Sequence, residues 1–309
     1  MTRRIPVPPK CLPEQGCASG GYPVNPVLVG AGGNAYIAPM IPFLKMHGLG
    51  NDFAVFDARK QALVIDAALA TKLADRRRGI GCDQLIVIEP SPVTDAFMRI
   101  RNNDGSEVET CGNAARCVAR LLLNESGKSS VTLMTLAGAL HCTDAGGGAV
   151  TVDMGAPEFA WKAIPLAEKM DTNMFALVVD DKLYMAAAVS MGNPHCVLFV
   201  EDADKAPVAT LGPQLETHNM FPRRTNVEFV SVRDRSHLRM RVWERGAGIT
   251  QACGSGTCAV AAAAHRRGLT DDKVEVELDG GILHIELKDG HVFMTGPTAL
   301  SYRGEVAFS

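Results

Sequence analysis

No stretch of this chain stays apolar for the roughly 18 residues that a membrane-crossing helix needs. After Arg3-Arg4 there is no apolar core of signal-peptide length, so the start does not read as a secretion signal. Charge is scarce: 21% of residues carry it, and the formal net charge is −3. That balance gives no basic field for nucleic acid or for an anionic membrane surface. No C-x-x-C occurs, which removes a thioredoxin-like redox motif and the closely spaced cysteine pairs of a zinc site. No lysine–pyridoxal signature is evident either. The expectation is an enzyme with neither metal nor cofactor, set against a thiol-rich metal or redox module as the non-enzymatic alternative.

What is there is a long chain, 309 residues and 47% hydrophobic, enough for a large core and for two domains more than one. Nine cysteines are spread along it: Cys11, Cys17, Cys82, Cys111, Cys117, Cys142, Cys196, Cys253 and Cys258. The odd count and wide spacing suit free thiols in a reducing cytosol, and so a cytoplasmic protein. Residues 1–40 stand apart. They are rich in proline, carry Gly-Gly pairs at 20–21 and 32–33, and show no helical or strand period. They read as a disordered extension or as a start assigned too early, with Met40-Ile-Pro-Phe-Leu-Lys-Met46 opening the first strand.

From Phe43 onward the pattern is α/β. Strands are expected at 53–57, 84–89, 96–101, 131–135, 140–143 and 150–154, with helices over 67–77 and from Gly112 to about Asn124. After Gly155-Ala-Pro157 a second series follows. It has strands at 182–189, 196–200, 227–232, 238–243, 274–278, 282–287 and 291–295, and a helix opening at 207–211. A further helix runs from Cys253 to about Arg267 with Gly268 as its cap. Its Ala259 to Ala264 run has no amphipathic stripe, which predicts burial on most sides. Each half thus reads as strands, a cysteine-led helix, and more strands, a weak internal duplication. His47-Gly-Leu-Gly-Asn-Asp52 and Ser190-Met-Gly-Asn-Pro-His195 hold similar places in the two halves.

The cysteine-led helices are the chemical core of the reading. Cys111-Gly-Asn-Ala-Ala-Arg-Cys117 and Cys253-Gly-Ser-Gly-Thr-Cys258 lie 142 residues apart, each after a loop-like segment. A cysteine at a helix start meets free N–H groups and the positive end of the dipole, which favour a thiolate, and the same N–H groups can hold a carboxylate. Two such devices face to face place two thiols on opposite sides of one small anion. Cys117 and Cys258 fall on other helix faces and, with Cys82, Cys142 and Cys196, read as small core residues. Asn51, Asn102, Asn193 and Asn226 sit at strand or loop edges, where turn chemistry is the ordinary reason for Asn. Together with Glu244-Arg245 they also suit a zwitterionic amino-acid head, Arg245 gripping carboxylate and Glu244 accepting from ammonium.

Residues 43–309 resemble the diaminopimelate epimerase family. The matching strings are Lys45-Met-His-Gly-Leu-Gly-Asn-Asp-Phe53, Gly79-Ile-Gly-Cys-Asp-Gln84, Asn102-Asn-Asp-Gly-Ser106 before Cys111-Gly-Asn113, Met191-Gly-Asn-Pro-His195, Asn226-Val-Glu228, and Glu244-Arg-Gly-Ala-Gly248 before Ala252-Cys-Gly-Ser-Gly256. The resemblance implies two pseudo-symmetric α/β domains (α+β in detail), each a mostly antiparallel curled sheet or barrel around a central helix, with the site in the cleft between. The expected division is 41–155 plus 299–309 for the first domain and 156–298 for the second. It implies cofactor-independent epimerisation of LL-2,6-diaminopimelate to the meso form, in lysine and peptidoglycan precursor synthesis. Cys111 and Cys253 become the acid/base pair. Asn51, Gln84, Asn102, Asn193, Asn226, Glu244 and Arg245 contact substrate, Gly112-Asn113 and Gly254-Ser255 hold the reacting carboxylate, and His195 and Glu244 tune the thiols. A homodimer follows only from family analogy.

Two departures stand out: Ile249 where the family usually has Glu, and Trp243 in place of the commoner Tyr. Neither touches a carried-over contact. Two related enzyme classes compete. Proline and hydroxyproline racemases share the two-cysteine logic but have no second amino-acid head for the Asn set and Glu244-Arg245. A phenazine-biosynthesis isomerase shares the fold but lacks the cysteine pair. The two-thiol geometry generates a test: mild oxidation should join Cys111 to Cys253 and abolish activity, and reductant should restore it. Peptide mapping that finds only other pairings would count against facing thiols.

Overall fold

The computed structural model describes residues 27–29, 36–38 and 40–307. Two compact units emerge: residues 1–41 with 305–309, and residues 42–304. In the first, Val27–Val29 pairs antiparallel with Tyr36–Ala38, although the sequence there shows no strand period. The rest of the disorder expected over 1–40 concerns residues outside the described ones, apart from Met40, which opens the strand Met40–Gly48.

The large unit repeats one strand pattern twice. In the first half Met40–Gly48 pairs antiparallel with Asn51–Asp57, which runs parallel to Gln84–Glu89. Gln84–Glu89 pairs antiparallel with Ala96–Asn102, and that strand runs parallel to Ser130–Thr135. Two antiparallel steps follow, to Gly138–Gly146 and then Ala149–Asp153. The second half gives the same order and the same sense. Lys182–Ser190, Pro194–Phe199, Asn226–Val232, His237–Glu244, Lys273–Leu278, Gly281–Lys288 and His291–Pro297 pair as antiparallel, parallel, antiparallel, parallel, antiparallel, antiparallel. The duplication expected from the sequence is therefore a duplication of topology.

The halves join where Ala149–Asp153 pairs antiparallel with His291–Pro297. In that register Val152 lies opposite Met294, the residue 142 positions later. A residue paired with its own counterpart marks a local two-fold axis. The hydroxyls of Thr151 and Thr295 meet beside it at 2.7 Å.

Each curled sheet wraps a helix. Helix α1 spans Ala67–Ala74 and is peripheral; α2 spans Gly112–Ser126, α3 Val208–Glu216 and α4 Gly254–Arg266. Around α2, Ala114, Ala115, Cys117, Val118, Ala119, Leu122 and Leu123 pack with the inward residues of the first-half strands. Around α4, every residue from Ala259 to Ala264 is buried, as the missing amphipathic stripe predicts. Its small side chains let strands approach on several sides. Asn226–Val232 is covered on both faces: Val230 meets the α4 cluster, while Val227 and Phe229 meet a cluster that includes Leu211 and Leu215 of α3. That is why it reads as a continuous apolar run and not an alternation.

Element ends show local chemistry at work. α1 stops at Ala74, three residues short of the expected end, because the Asp75 side chain accepts from the N–H groups of Arg77 and Arg78 and turns the chain. α2 ends on left-handed Gly127. Two strands escape the sequence pattern, Phe175–Val179 and Ala299–Ala307. The first is apolar throughout, Phe-Ala-Leu-Val-Val, yet buries only alternate residues. In the last strand, Tyr302 stacks edge-on against Phe43 with centroids 6.0 Å apart.

Gly280 ties the halves together by close approach. A Cβ there would sit 2.0 Å from the Leu49 carbonyl oxygen and 3.0 Å from that of Gln251. Both are backbone atoms and cannot swing away. Gly280→Ala should therefore destabilise the fold by about 2 kcal/mol through forced backbone displacement. A denaturant midpoint equal to that of the parent would show that the contact is slack.

Candidate active site

Cys111 and Cys253 are the N-cap residues of α2 and α4, both in extended backbone conformation. The two helix starts meet. The Asn113 side-chain amide, on the first turn of α2, donates to the Ala252 carbonyl just before α4 at 3.1 Å, and to Asn51 Oδ1 at 3.2 Å. The Cys111 sulfur reaches the same Asn51 oxygen at 4.0 Å. Beneath both starts lies the Met294 thioether. A Cβ at Gly112 would fall 2.6 Å from its methyl, and one at Gly254 would fall 3.2 Å from its sulfur. Glycine after each cysteine is what lets the two helices share one floor.

The remaining expected site residues line the strand ends around this junction. Phe53, Gln84 and Asn102 stand side by side across three strands, and His195, Asn226 and Glu244 hold the same places 142 residues on. Gln84 donates to Asn102 at 3.0 Å, and Asn102 donates to Ser106 at 3.1 Å. Asn226 donates to the Pro194 carbonyl and accepts from the Arg245 backbone N–H at 2.9 Å. Asn193 bridges, touching His195 Nε2 at 2.9 Å and donating to Ser255 at 3.4 Å; Ser255 in turn lies 3.7 Å from the Cys253 sulfur. The Gly256 N–H donates to that sulfur at 3.4 Å.

Glu244 and Arg245 do not pair with each other. The Glu244 carboxylate takes the Thr250 hydroxyl, and the exposed Arg245 guanidinium donates to the Arg223 carbonyl at 3.3 Å. Ile249 is exposed and paired across the strand with Trp243, so its apolar side chain changes surface polarity only. Trp243 donates through its indole N–H to Glu216 at 2.7 Å.

The thiols behave differently from the expectation at a helix start. Burial pushes the Cys111 thiol up to about 11, and the Glu244 charge adds to it; the N–H groups of Ala114 and Asn113 pull the other way and lose. Cys253, only 4% exposed, is driven well above the usual thiol range by burial and then by Glu244 and Glu228. In this closed, empty arrangement both cysteines hold their protons, because loss of water outweighs the helix dipole. Burial likewise raises Glu244, against hydrogen bonds from Thr250 and Cys253. A surface hollow of about 350 Å³ around Ser236, His237, Glu275 and His284 contains none of these groups. Cys82, Cys117, Cys142, Cys196 and Cys258 are buried free thiols, as the sequence suggests.

Three features escape sequence reading. Glu228 is fully buried behind Cys253; its Oε1 meets His195 Nδ1 at 2.6 Å, and its other oxygen has no partner. The signal was an acid inside Asn226-Val-Glu-Phe-Val, a strand otherwise too apolar to tolerate one. Arg116 is fully buried in α2. Lys45, Arg76, Asp52 and Asp83 form a charge network under Asn51, whose amide donates to Asp83 at 3.1 Å.

Solved structures with this fold belong to a class of cofactor-sparing isomerases and their kin. A hydroxyproline epimerase from Agrobacterium vitis superposes with TM-score 0.64 at 17% identity, over 87% of this chain and 93% of its own. A probable proline racemase from Agrobacterium radiobacter gives 0.66 at 18%, over 87% and 93%. A phenazine biosynthesis protein of the PhzF family from Bacillus anthracis gives 0.62 at 16%, over 87% and 99%. Sequence narrows the class. The family profile described as Diaminopimelate epimerase matches residues 43–160 and 187–301. Diaminopimelate epimerase of Rhodospirillum centenum is 53% identical over 86% of this chain and 92% of its own length, and that of Acidiphilium cryptum 51% over 86% and 96%. The chain belongs to the diaminopimelate epimerase family.

The network under Asn51 generates a pH prediction. Burial alone would raise the Asp52 carboxyl, but hydrogen bonds from Arg76 and Lys45 outweigh it and hold the group at about 2, against 3.8 ordinarily. A depressed carboxyl adds stability in full above the unfolded value and loses it as pH falls through the folded one. Asp52→Asn should therefore unfold more easily than the parent at pH 7, and the gap should close between about pH 4 and pH 2. A gap that is constant across that window would remove Asp52 ionisation from the account.

Proposed function

We propose that this chain converts LL-2,6-diaminopimelate to the meso form by moving one α-proton between two cysteines, with no cofactor. Family membership over most of the body supports the reaction and its place in lysine and peptidoglycan precursor synthesis. The single observation that carries the mechanism is the meeting of two cysteine-capped helix starts through Asn113 and Ala252. On this reading 41–155 with 299–309 make one lobe and 156–298 the other, and the protein works in the cytoplasm as a homodimer. Among the described residues no helix is long and apolar enough to cross a membrane.

The substrate carboxylate at the reacting end takes the N–H groups of Gly112-Asn113 and Gly254-Ser255, where both helix dipoles are positive. Asn51, Gln84, Asn102, Asn193, Asn226, Glu244 and Arg245 hold the amino-acid heads. With Cys253 buried, the lobes part to admit substrate and close on it. An ammonium against Glu244 offsets the charge that raises both thiols, so binding itself lowers the barrier to a thiolate. That thiolate takes the α-hydrogen as a proton and becomes a thiol. The electron pair spreads from the α-carbon into the carboxylate, whose growing charge both helix ends stabilise. The opposite thiol gives its proton to the other face, inverting the centre, and is left as the thiolate. The reverse reaction exchanges the roles. His195 and Glu244 adjust the readiness of Cys253, His195 through Asn193 and Ser255.

The hydroxyproline and proline enzymes that share the fold mark the alternative substrate class. Glu244 and Arg245, standing apart from each other and near Asn226, favour a substrate with two amino-acid heads. The test is proton NMR of reduced protein in D₂O. Solvent deuterium should enter one α-carbon of LL-diaminopimelate with meso product appearing, and Cys111→Ala or Cys253→Ala should lower the epimerisation rate at least 10²–10⁴-fold, an order-of-magnitude figure. Exchange into proline or hydroxyproline alone would transfer the protein to the racemase branch, and an active Cys→Ala variant would end the two-base mechanism.

A further inference from the structure

Arg116 has no exposed surface, yet it lacks the partner that a buried cation ordinarily requires. Its Nε and Nη2 make no hydrogen bond, and its Nη1 contacts only the Met294 thioether at 3.3 Å, a weak acceptor. Among the described residues no carboxylate pairs with it. The groups that act on its charge are thiols: Cys117 on its own helix, Cys111 at the helix start, and Cys258 on α4. The space is built for a guanidinium. A Cβ at Gly48 would lie 3.0 Å from Nη2, and one at Gly296 would lie 3.1 Å from Nε and 3.2 Å from Cζ. Gly48 is the cross-strand partner of Asn51, whose oxygen meets Asn113 and the Cys111 sulfur. The position 142 residues on is Cys258, so only one half carries the charge.

An apolar side chain of similar length would fill this slot without leaving donors unpaired, and such replacements of buried charge are often neutral or stabilising. The fold gains nothing from the charge that a methionine would not supply. The reaction proposed above does gain. It places a thiolate and a carboxylate together at the helix starts and then adds carbanion charge. We infer that Arg116 is the fixed counter-charge of this site, a positioning residue whose buried positive charge goes unmatched until Cys111 ionises and the anionic substrate is held in the closed cleft. The inference rests on the epimerase reading for its substrate and on geometry for its site.

Arg116→Met and Arg116→Lys, each in the full chain, test it with three readouts: turnover of LL-diaminopimelate, thermal midpoint, and the pH dependence of Cys111 alkylation by iodoacetamide, followed by peptide mass. The other groups that bear on Cys111 and the guanidinium are Glu244 on His237–Glu244, Cys117 on α2 and Cys258 on α4; all stay in place. Arg116→Met should keep or raise the thermal midpoint, lower kcat about 100-fold and move the alkylation midpoint to higher pH. Arg116→Lys, which keeps the charge, should recover part of both. A folded Arg116→Met with the parent's kcat and alkylation midpoint would overturn the inference. So would a variant that loses thermal stability and turnover together while the alkylation midpoint stays put, since that is a structural peg. If Arg116→Met does not fold, Arg116→Gln takes its place, and an unmoved midpoint there overturns the inference. A parent that alkylates as expected but does not turn over diaminopimelate would refute the proposed reaction and leave the Arg116 effect on the thiol to be judged by itself.

Discussion

Everything at the site hangs on one antiparallel pairing, Ala149–Asp153 against His291–Pro297. Val152 opposite Met294 makes the relation between the halves a rotation and not a mere repetition. Under a rotation, two helix starts that point toward the axis point toward each other. The N-caps then confront one another, and Met294, at the axis, becomes the floor under Gly112 and Gly254. A translation of the same two halves would put both cysteines on one side. The facing thiols are thus a property of strand register, some distance from any sulfur.

The rotation is obeyed by the backbone and broken by the side chains. Asn51 matches Asn193 and Cys111 matches Cys253, but Phe53 becomes His195, Ile86 becomes Glu228, and Asn102 becomes Glu244. The surroundings of Cys253 are therefore acidic and relayed, while those of Cys111 are neutral, with Arg116 behind. A substrate whose reacting carbon bears a long arm on one side is itself unsymmetrical, so the inequality of the two thiols matches the inequality of the two directions. Where the first half steadies Asn51 with four charges, the second steadies Asn193 with one histidine.

Much of this was legible in the residues. The cysteine-led helices, their caps at Gly127 and Gly268, and most strands follow from periodicity and punctuation, and the two hairpin tips at 47–52 and 190–195 reveal the repeat. What stayed hidden has physical reasons. Phe175–Val179 carries no polar residue to mark its outward face, so its period cannot be seen. The protonated state of the thiols depends on how completely the fold removes water, which no local spacing encodes; the helix start argues for a thiolate and burial overrules it. Glu228 and Arg116 announce themselves only as charges in apolar company, and their partners lie more than a hundred residues away or nowhere.

The interval of 142 residues holds from Asn51 to Met294 for the residues at the cleft, while it slips at places away from it, as where α2 runs to 15 residues and α4 to 13. Tandem copies drift apart in length wherever loops can absorb the change. On a curled sheet a single inserted residue turns every later side chain to the opposite face. The unchanged interval is thus a record of descent from a half-length ancestor that met its twin across a true two-fold, with two identical thiols and no preferred direction.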